Sequence, residues 1–294
     1  MIKLVSLMGD IMKNSWILLI FIYALLKGSR DGMKKAALKK SSSGEILFFY
    51  TLLGFILTIP FSQGAFSLSP LYILFAFLKA GVVCTAWMFS LVALKKMPVS
   101  LFGIVDLSRM IFSTCFGVFI LGESFTLGKG IGIFLVITGL LLVNIKKESG
   151  SNATTIPILV AALLNCFFNA LSGTMDKVLM QYMEASQLQF WYMLFMTLIY
   201  GAVLLIRKEK ISVKNLKTNY WIPIMSISLV IGDRILFVAN AHPLSEVTVM
   251  TVIKQASVIV TVLTGWLAFK EKHILYKIMC TLIVLAGIFI AVFL

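Results

Sequence analysis

Ten apolar segments, each 16 to 25 residues long, run through the 294-residue chain. They are Trp16–Leu38, Ile46–Phe61, Pro70–Leu94, Pro98–Leu121, Leu127–Ile145, Ile156–Met180, Leu188–Ile206, Tyr220–Ala241, Val247–Phe269 and Ile274–Leu294. A helix that crosses a bilayer needs about 20 mainly apolar residues, so the principal solvent of this chain is lipid. The runs lack the in–out alternation of barrel strands, which reads as helices. Connectors carry the break signals: Ser41-Ser42-Ser43-Gly44, Ser62-Gln63-Gly64, Lys95-Lys96-Met97-Pro98, residues 146–152 and the longest, Arg207–Asn219. Hydrophobic residues make up 60% of the chain and charged residues 13%. A soluble domain carries about 25% charge, so a soluble enzyme, a secreted disulfide scaffold and a disordered chain are excluded.

The net charge is +14, but the basic residues gather at segment ends, where they meet lipid headgroups. Nucleic acid is not an expected partner. The four cysteines, Cys84, Cys115, Cys166 and Cys280, lie far apart inside apolar stretches and read as buried thiols. Residues 1–15 are too polar to span. No small-x-small cleavage site follows Leu26, so the helix from Trp16 is expected to be retained.

The chain repeats itself. At an offset of 142, Met33 falls on Met175, Lys35 on Lys177, Phe48 on Phe190 and Tyr50 on Tyr192. At an offset of 148, Phe89 falls on Phe237, Ala93 on Ala241, Val99 on Val247, Gly117 on Gly265, Glu123 on Glu271 and Gly139 on Gly287. The change of offset matches the long connector. Five spans per copy is odd, so the second copy enters the membrane upside down, a recurring plan of secondary transporters with the substrate near the midplane. The expectation is an all-α membrane protein: ten transmembrane helices in two inverted five-helix repeats. The first repeat covers 16–145 and the second 156–294, joined by a linker at 146–155.

The order of motifs resembles the drug/metabolite transporter superfamily, EamA type. The carrying residues are Leu25-Leu26-Lys27-Gly28-Ser29-Arg30 leading to Lys35, Ala93-Leu94-Lys95-Lys96-Met97-Pro98, Leu121-Gly122-Glu123 and Phe269-Lys270-Glu271. The resemblance covers nearly the whole chain and implies a carrier of a small metabolite. It departs from the family where Lys27, Arg30 and Asp31 replace mostly neutral residues.

Ionisable residues at membrane depth carry the chemistry. Each costs about 2.5–3.5 kcal/mol at a helix centre, while a whole fold is stable by about 5–15 kcal/mol. Ten fall inside spans: Lys27, Arg30, Asp31, Lys79, Asp106, Arg109, Asp176, Asp233, Arg234 and Lys254. They must pair or line a wet cavity. Lys27, Arg30, Asp31 and Lys34 share one face of span one; Asn165, Asn169, Ser172 and Asp176 form the matching stripe on span six. Asp106 and Lys254 are repeat equivalents of opposite charge. The candidate substrate-binding set is Lys27, Arg30, Asp31, Lys79, Asp106, Arg109, Asn165, Asn169, Asp233, Arg234 and Lys254. Arg30 and Lys254 are the strongest ligands, a planar fork and a compact charge. Lys27–Asp31 and Asp106–Arg109 also read as structural ion pairs. Lys79 is within reach of an interface by snorkelling, and the pairs Lys34-Lys35 and Asp176-Lys177 fall close to one. The aspartates are the candidate proton carriers, since removal from water favours a neutral carboxyl. Trp87, Phe89, Tyr50, Trp191, Tyr192 and Trp266 divide between cavity wall and interfacial belt. Gly128-x-x-x-Gly132 suits close helix packing. Gly139 and Gly287 have spans five and ten pack alike, against each other or, in a homodimer, against a second copy.

Nucleophile, metal, phosphate-loop and dinucleotide motifs are all missing, so no enzyme activity and no cofactor are expected. The expected function is a multi-pass carrier in the cytoplasmic membrane. It moves an amino acid or related organic anion by alternating access, with protons as a candidate coupling ion. The alternatives are an exporter of cationic amines and, outside transport, a membrane scaffold or membrane-embedded enzyme. Connectors after odd-numbered spans hold sixteen basic residues against four on the other side. The positive-inside rule therefore puts both termini outside, whereas the resemblance puts them in the cytoplasm. Reporter fusions at Leu294 and near Lys214 separate the two: a cytoplasmic signal from both sites contradicts this topology, since one lies on each side.

Overall fold

In the computed structural model, residues 15–122, 124–145, 155–209, 216, 218–243, 245, 247–271 and 273–293 are described. They form twelve α-helices with no strand among them: α1 (Ser15–Ala37), α2 (Ser43–Thr58), α3 (Pro70–Lys96), α4 (Val99–Asp106), α5 (Arg109–Leu121), α6 (Leu127–Ile145), α7 (Ile156–Leu179), α8 (Ala185–Ile206), α9 (Trp221–Ala241), α10 (Val247–Gln255), α11 (Ser257–Phe269) and α12 (Ile274–Phe293). Six stretches are long and apolar enough to cross a membrane: Ser43–Phe61, Pro70–Lys96, Val99–Leu121, Ile156–Leu179, Ala185–Ile206 and Trp221–Ala241. The apolar stretches within α6, α10–α11 and α12 are shorter. At 23 residues α1 has the length, about 35 Å at 1.5 Å per residue, but its charges break the apolar run.

Those charges are tolerated because α1 is amphipathic with its apolar face outward. Ile17, Leu18, Phe21, Ile22 and Leu25 are exposed, whereas Tyr23, Lys27, Arg30 and Asp31 are buried. The inward face lies against α9, α10 and α11. Gly28 and Gly32 make this contact close. A Cβ on Gly28 would stand 2.7 Å from the Val260 Cβ and nearer still to the Ser257 carbonyl, and one on Gly32 would collide with Thr264. Small residues four apart are what lipid-embedded helices use to approach one another.

The packing is symmetric under exchange of the two copies. Contacts of α1 with α9, α10 and α11 are matched by contacts of α7 with α3, α4 and α5. Counterparts also pack on each other: α2 on α8 and α6 on α12. They do so antiparallel. Phe48 meets Gly201 while Phe55 meets Phe190, and Gly139 meets Val284 while the Tyr276 hydroxyl donates to the Leu142 carbonyl. Antiparallel counterparts are what inversion of the second copy requires. Spans five and ten thus pack against each other. Gly128 and Gly132 are both buried.

The duplication extends to the helix ends. Met97 precedes Pro98 and His242 precedes Pro243; both are extended, and they stop α3 and α9, because proline disfavours a helical predecessor. Orphan carbonyls remain at such ends. Lys35 Nζ donates to the Leu94 and Met97 carbonyls, the latter at 2.7 Å. Lys177 Nζ donates to the Asn240 and His242 carbonyls and to Ser245 Oγ at 2.7 Å. The two lysines at equivalent places therefore seal equivalent helix ends. Glu271 accepts from the Val99 and Ser100 amides and from the Ser100 hydroxyl, capping α4. Its counterpart Glu123 lies outside the described residues.

Gly28→Ala should lower folded stability by about 1–3 kcal/mol through overpacking. A Cβ at Gly81 meets nothing within 4 Å, so Gly81→Ala should be neutral or stabilising by up to about 1 kcal/mol through helix propensity. Denaturant titration in detergent checks the pair, and equal effects would contradict the close α1–α11 contact.

Candidate functional site

Two spans are broken at equivalent positions. Helix α4 ends at Asp106 and α5 begins at Arg109; α10 ends at Gln255 and α11 begins at Ser257. The breaks carry turn-like bonds, from Met110 to the Leu107 carbonyl and from Ile259 to the Ala256 carbonyl. Neither break contains proline or glycine. Asp106 closes the first half-helix and Lys254 lies one residue from the end of the second. Leu107, Ser108 and Ala256 keep right-handed helical backbone, so each break is a tightened 3₁₀-type turn within its span, a feature that often marks a functional hinge.

A cavity lies between the breaks. Ten of the eleven sequence-predicted residues line it: Lys27, Arg30, Asp31, Lys79, Asp106, Arg109, Asn165, Asn169, Asp233 and Lys254. The eleventh, Arg234, sits on another face of α9, where its Nε donates to Gln189 Oε1 at 2.7 Å. A Cβ on Gly232, two residues before it, would stand 3.5 Å from Tyr23 and 3.6 Å from Arg30, so that face of α9 lies against α1. Lys34 and Asp176, placed near the interface by the sequence, also line the cavity, as do Tyr23, Tyr50, Trp87, Tyr192 and Phe237. Trp266 is exposed, in keeping with a lipid-facing place. Nothing in the sequence places Tyr23 and Phe237 in the cavity, since an aromatic on an apolar helix looks alike from either side.

The lining charges are six basic and four acidic among the described residues, a formal net of +2. Their pairing locates the surplus. Asp106 is shared: Lys27 Nζ and Arg109 Nη2 each approach it at 2.6 Å, and Asn165 Nδ2 donates to it at 3.4 Å. Lys27 also donates to Ser257 Oγ at 3.1 Å. Asn169 Nδ2 donates to Asn165 Oδ1 at 2.7 Å, which turns the Asn165 amide toward Asp106. Lys79 Nζ lies 2.9 Å from Asp176 and donates to Ser172 Oγ at 3.1 Å. It is buried rather than snorkelling. Lys34 and Asp31 pair loosely at 3.5 Å.

Two cations remain underused. Arg30 reaches Asp233 only at 3.8 Å, beyond a charge-assisted hydrogen bond. Its guanidinium lies against Tyr50 and 5.6 Å from the Tyr23 ring centre. Lys254 has no carboxylate within ion-pair distance among the described residues. Its ammonium lies near Gly173, and Arg109, Asp176, Lys27 and Lys79 are its charged neighbours. Asp106 and Lys254 occupy equivalent breaks but do not pair with each other. One surplus charge therefore resides in the Lys27–Asp106–Arg109 cluster and the other on Lys254.

The EamA-like transporter family model matches residues 14–145 and 156–293, one match per copy. The chain belongs to the EamA-like transporter family. It is thus a multi-pass membrane protein of a transporter family, built from two copies of one unit. A solved crystal structure, described only as that of a protein, superposes with a TM-score of 0.70 at 12% identity. The match covers 95% of this chain and 96% of the other, and it shows a shared fold. No curated protein matches.

Asp106→Asn would leave Lys27 and Arg109 buried without their carboxylate, a loss of about 3–5 kcal/mol for a broken buried pair. Lys254→Met removes a charge without an ion-pair partner and should leave stability unchanged or raised. Exchanging the two residues by Asp106→Lys with Lys254→Asp would set three cations together and should prevent assembly. Unfolding midpoints and gel-filtration profiles report both, and a well-assembled exchange variant would refute this pairing.

Proposed function

We propose that this chain is a carrier for a small organic anion or an amino acid in the cytoplasmic membrane, and that it works by alternating access. The cavity holds the solute while the two copies rock about it, so that it faces one side at a time. Lys254 carries this reading. At the first break a carboxylate is matched by two cations; at the equivalent second break a cation has no carboxylate within ion-pair distance among the described residues. A solute carboxylate is the group that completes it. Arg30 adds a planar fork for a second oxygen pair. The remaining lining residues, Lys27, Asp31, Lys79, Asp106, Arg109, Asn165, Asn169 and Asp233, hold the charge pattern and the polar walls. Arg234 has no part in this site. An exporter of cationic amines would need a carboxylate at liberty, and all four cavity aspartates hold a protein cation within 4.0 Å. Protons remain the candidate coupling ion through those aspartates.

Flux into proteoliposomes tests the proposal. Carboxylate-bearing amino acids or organic anions should move, and their decarboxylated amine counterparts should not. Arg30→Met and Lys254→Met should each cut flux at least about tenfold, as expected from loss of a charge-assisted hydrogen bond of roughly 1.5–3 kcal/mol, with the folded yield preserved. Full activity in both variants would remove these residues from the site. A scaffold would give no flux, and an enzyme would alter the solute chemically.

A further inference from the structure

Lys79 sits in surroundings that would suit a free ammonium ion. Its Nζ lies 4.3 Å from the Tyr192 ring centre and 5.5 Å from that of Phe237. Asp176 stands at 2.9 Å, and Ser172 Oγ accepts at 3.1 Å. A carboxylate, a hydroxyl and two aromatic faces around one charge form a cation cage, since ring faces attract cations most when water is excluded. The cage is buried, and Lys79 is only 2% exposed. Its four walls come from α7, α8 and α9, all within the second family match, whereas Lys79 comes from α3 in the first.

We propose that Lys79 is an internal plug and a specificity determinant: it fills a primary-ammonium site built by the second copy, and so excludes amines from the carrier. Asp176 is thereby denied to cationic solutes, as the other cavity carboxylates are by Lys27, Arg109, Lys34 and Arg30, and the cations Arg30 and Lys254 are left for solute. The inference concerns the same cavity as the transport reading. It is tested by binding to purified protein, so its failure is distinct from a failure of solute flux.

Lys79→Ala leaves a vacancy with the shape of n-propylammonium. Isothermal titration of the purified full chain in detergent, with propylammonium chloride as probe and n-propanol as neutral control, measures occupancy. The Lys79→Ala protein should bind propylammonium at least about tenfold more tightly than the unaltered chain, the scale of a desolvated cation–π contact with its ion pair, and should not bind propanol. Adding Asp176→Asn should abolish the binding. Lys79→Met, which fills the space without charge, should not bind either. Equal affinity in Lys79→Ala and the unaltered chain, or undiminished binding without the Asp176 carboxylate, would overturn the assignment. If Lys79→Ala does not assemble alone, the yield of monodisperse protein becomes the readout. Recovery with propylammonium but not propanol supports the plug, and recovery with neither refutes it.

Discussion

Hydrocarbon cannot solvate a charge, and the arrangement of this protein follows from that constraint. Ionised side chains at membrane depth have to turn toward one another or toward water. Helix α1 shows the result in its simplest form: lipid takes Ile17, Leu18, Phe21, Ile22 and Leu25, and the protein takes Lys27, Arg30 and Asp31. A helix with that pattern would be placed backwards in a soluble fold, where the apolar stripe turns to the core. Here eight other helices enclose polar space, and the main apolar packing, around Tyr50, Leu91, Leu188 and Tyr200, lies beside the cavity among α2, α3, α8 and α9.

Duplication supplies the frame and its departures supply the chemistry. Where the two copies agree, the residues are structural: Lys35 and Lys177 seal equivalent ends, and Met97-Pro98 and His242-Pro243 stop equivalent helices. The C-terminal caps agree as well. Gly122 and Lys270, 148 residues apart, both adopt left-handed backbone, at φ 70° and 50°, although only the glycine does so without steric cost. Where the copies disagree, the cavity becomes chemically directional. Asp106 faces Lys254 across the symmetry, Lys27 faces Asn169, and Arg30 faces Ser172. A symmetric frame thus holds an asymmetric charge pattern.

Much of this was legible in the sequence. The apolar runs gave the helices, and the Lys35/Lys177 and Glu123/Glu271 pairs gave the repeat. Ten of eleven proposed ligands line one cavity because each was chosen as a polar residue with no lipid-compatible place. Arg234 defeated that logic: Gln189 on α8 satisfies it, and a single partner on a distant segment leaves no spacing to read. Asp176 and Lys34 join the cavity lining although they lie near the ends of apolar runs, where a charge blurs the segment boundary. The breaks at Leu107-Ser108 and Ala256 had no proline or glycine to announce them. The ten-span expectation rests on six stretches that meet the apolar criterion and on others, α1 foremost, that owe their place to neighbours.

The ion pairs differ in what they join. The Lys27–Asp106–Arg109 pairs lie inside the first copy, with hydrogen bonds to Ser257 and Asn165 of the second, whereas Lys79–Asp176 and Arg30–Asp233 bridge the two. In the rocking proposed above, these bridging pairs are the ones stretched as the two copies tilt against each other. An empty protein would bear that electrostatic strain alone, while a charged passenger offers substitute contacts as the bridges part.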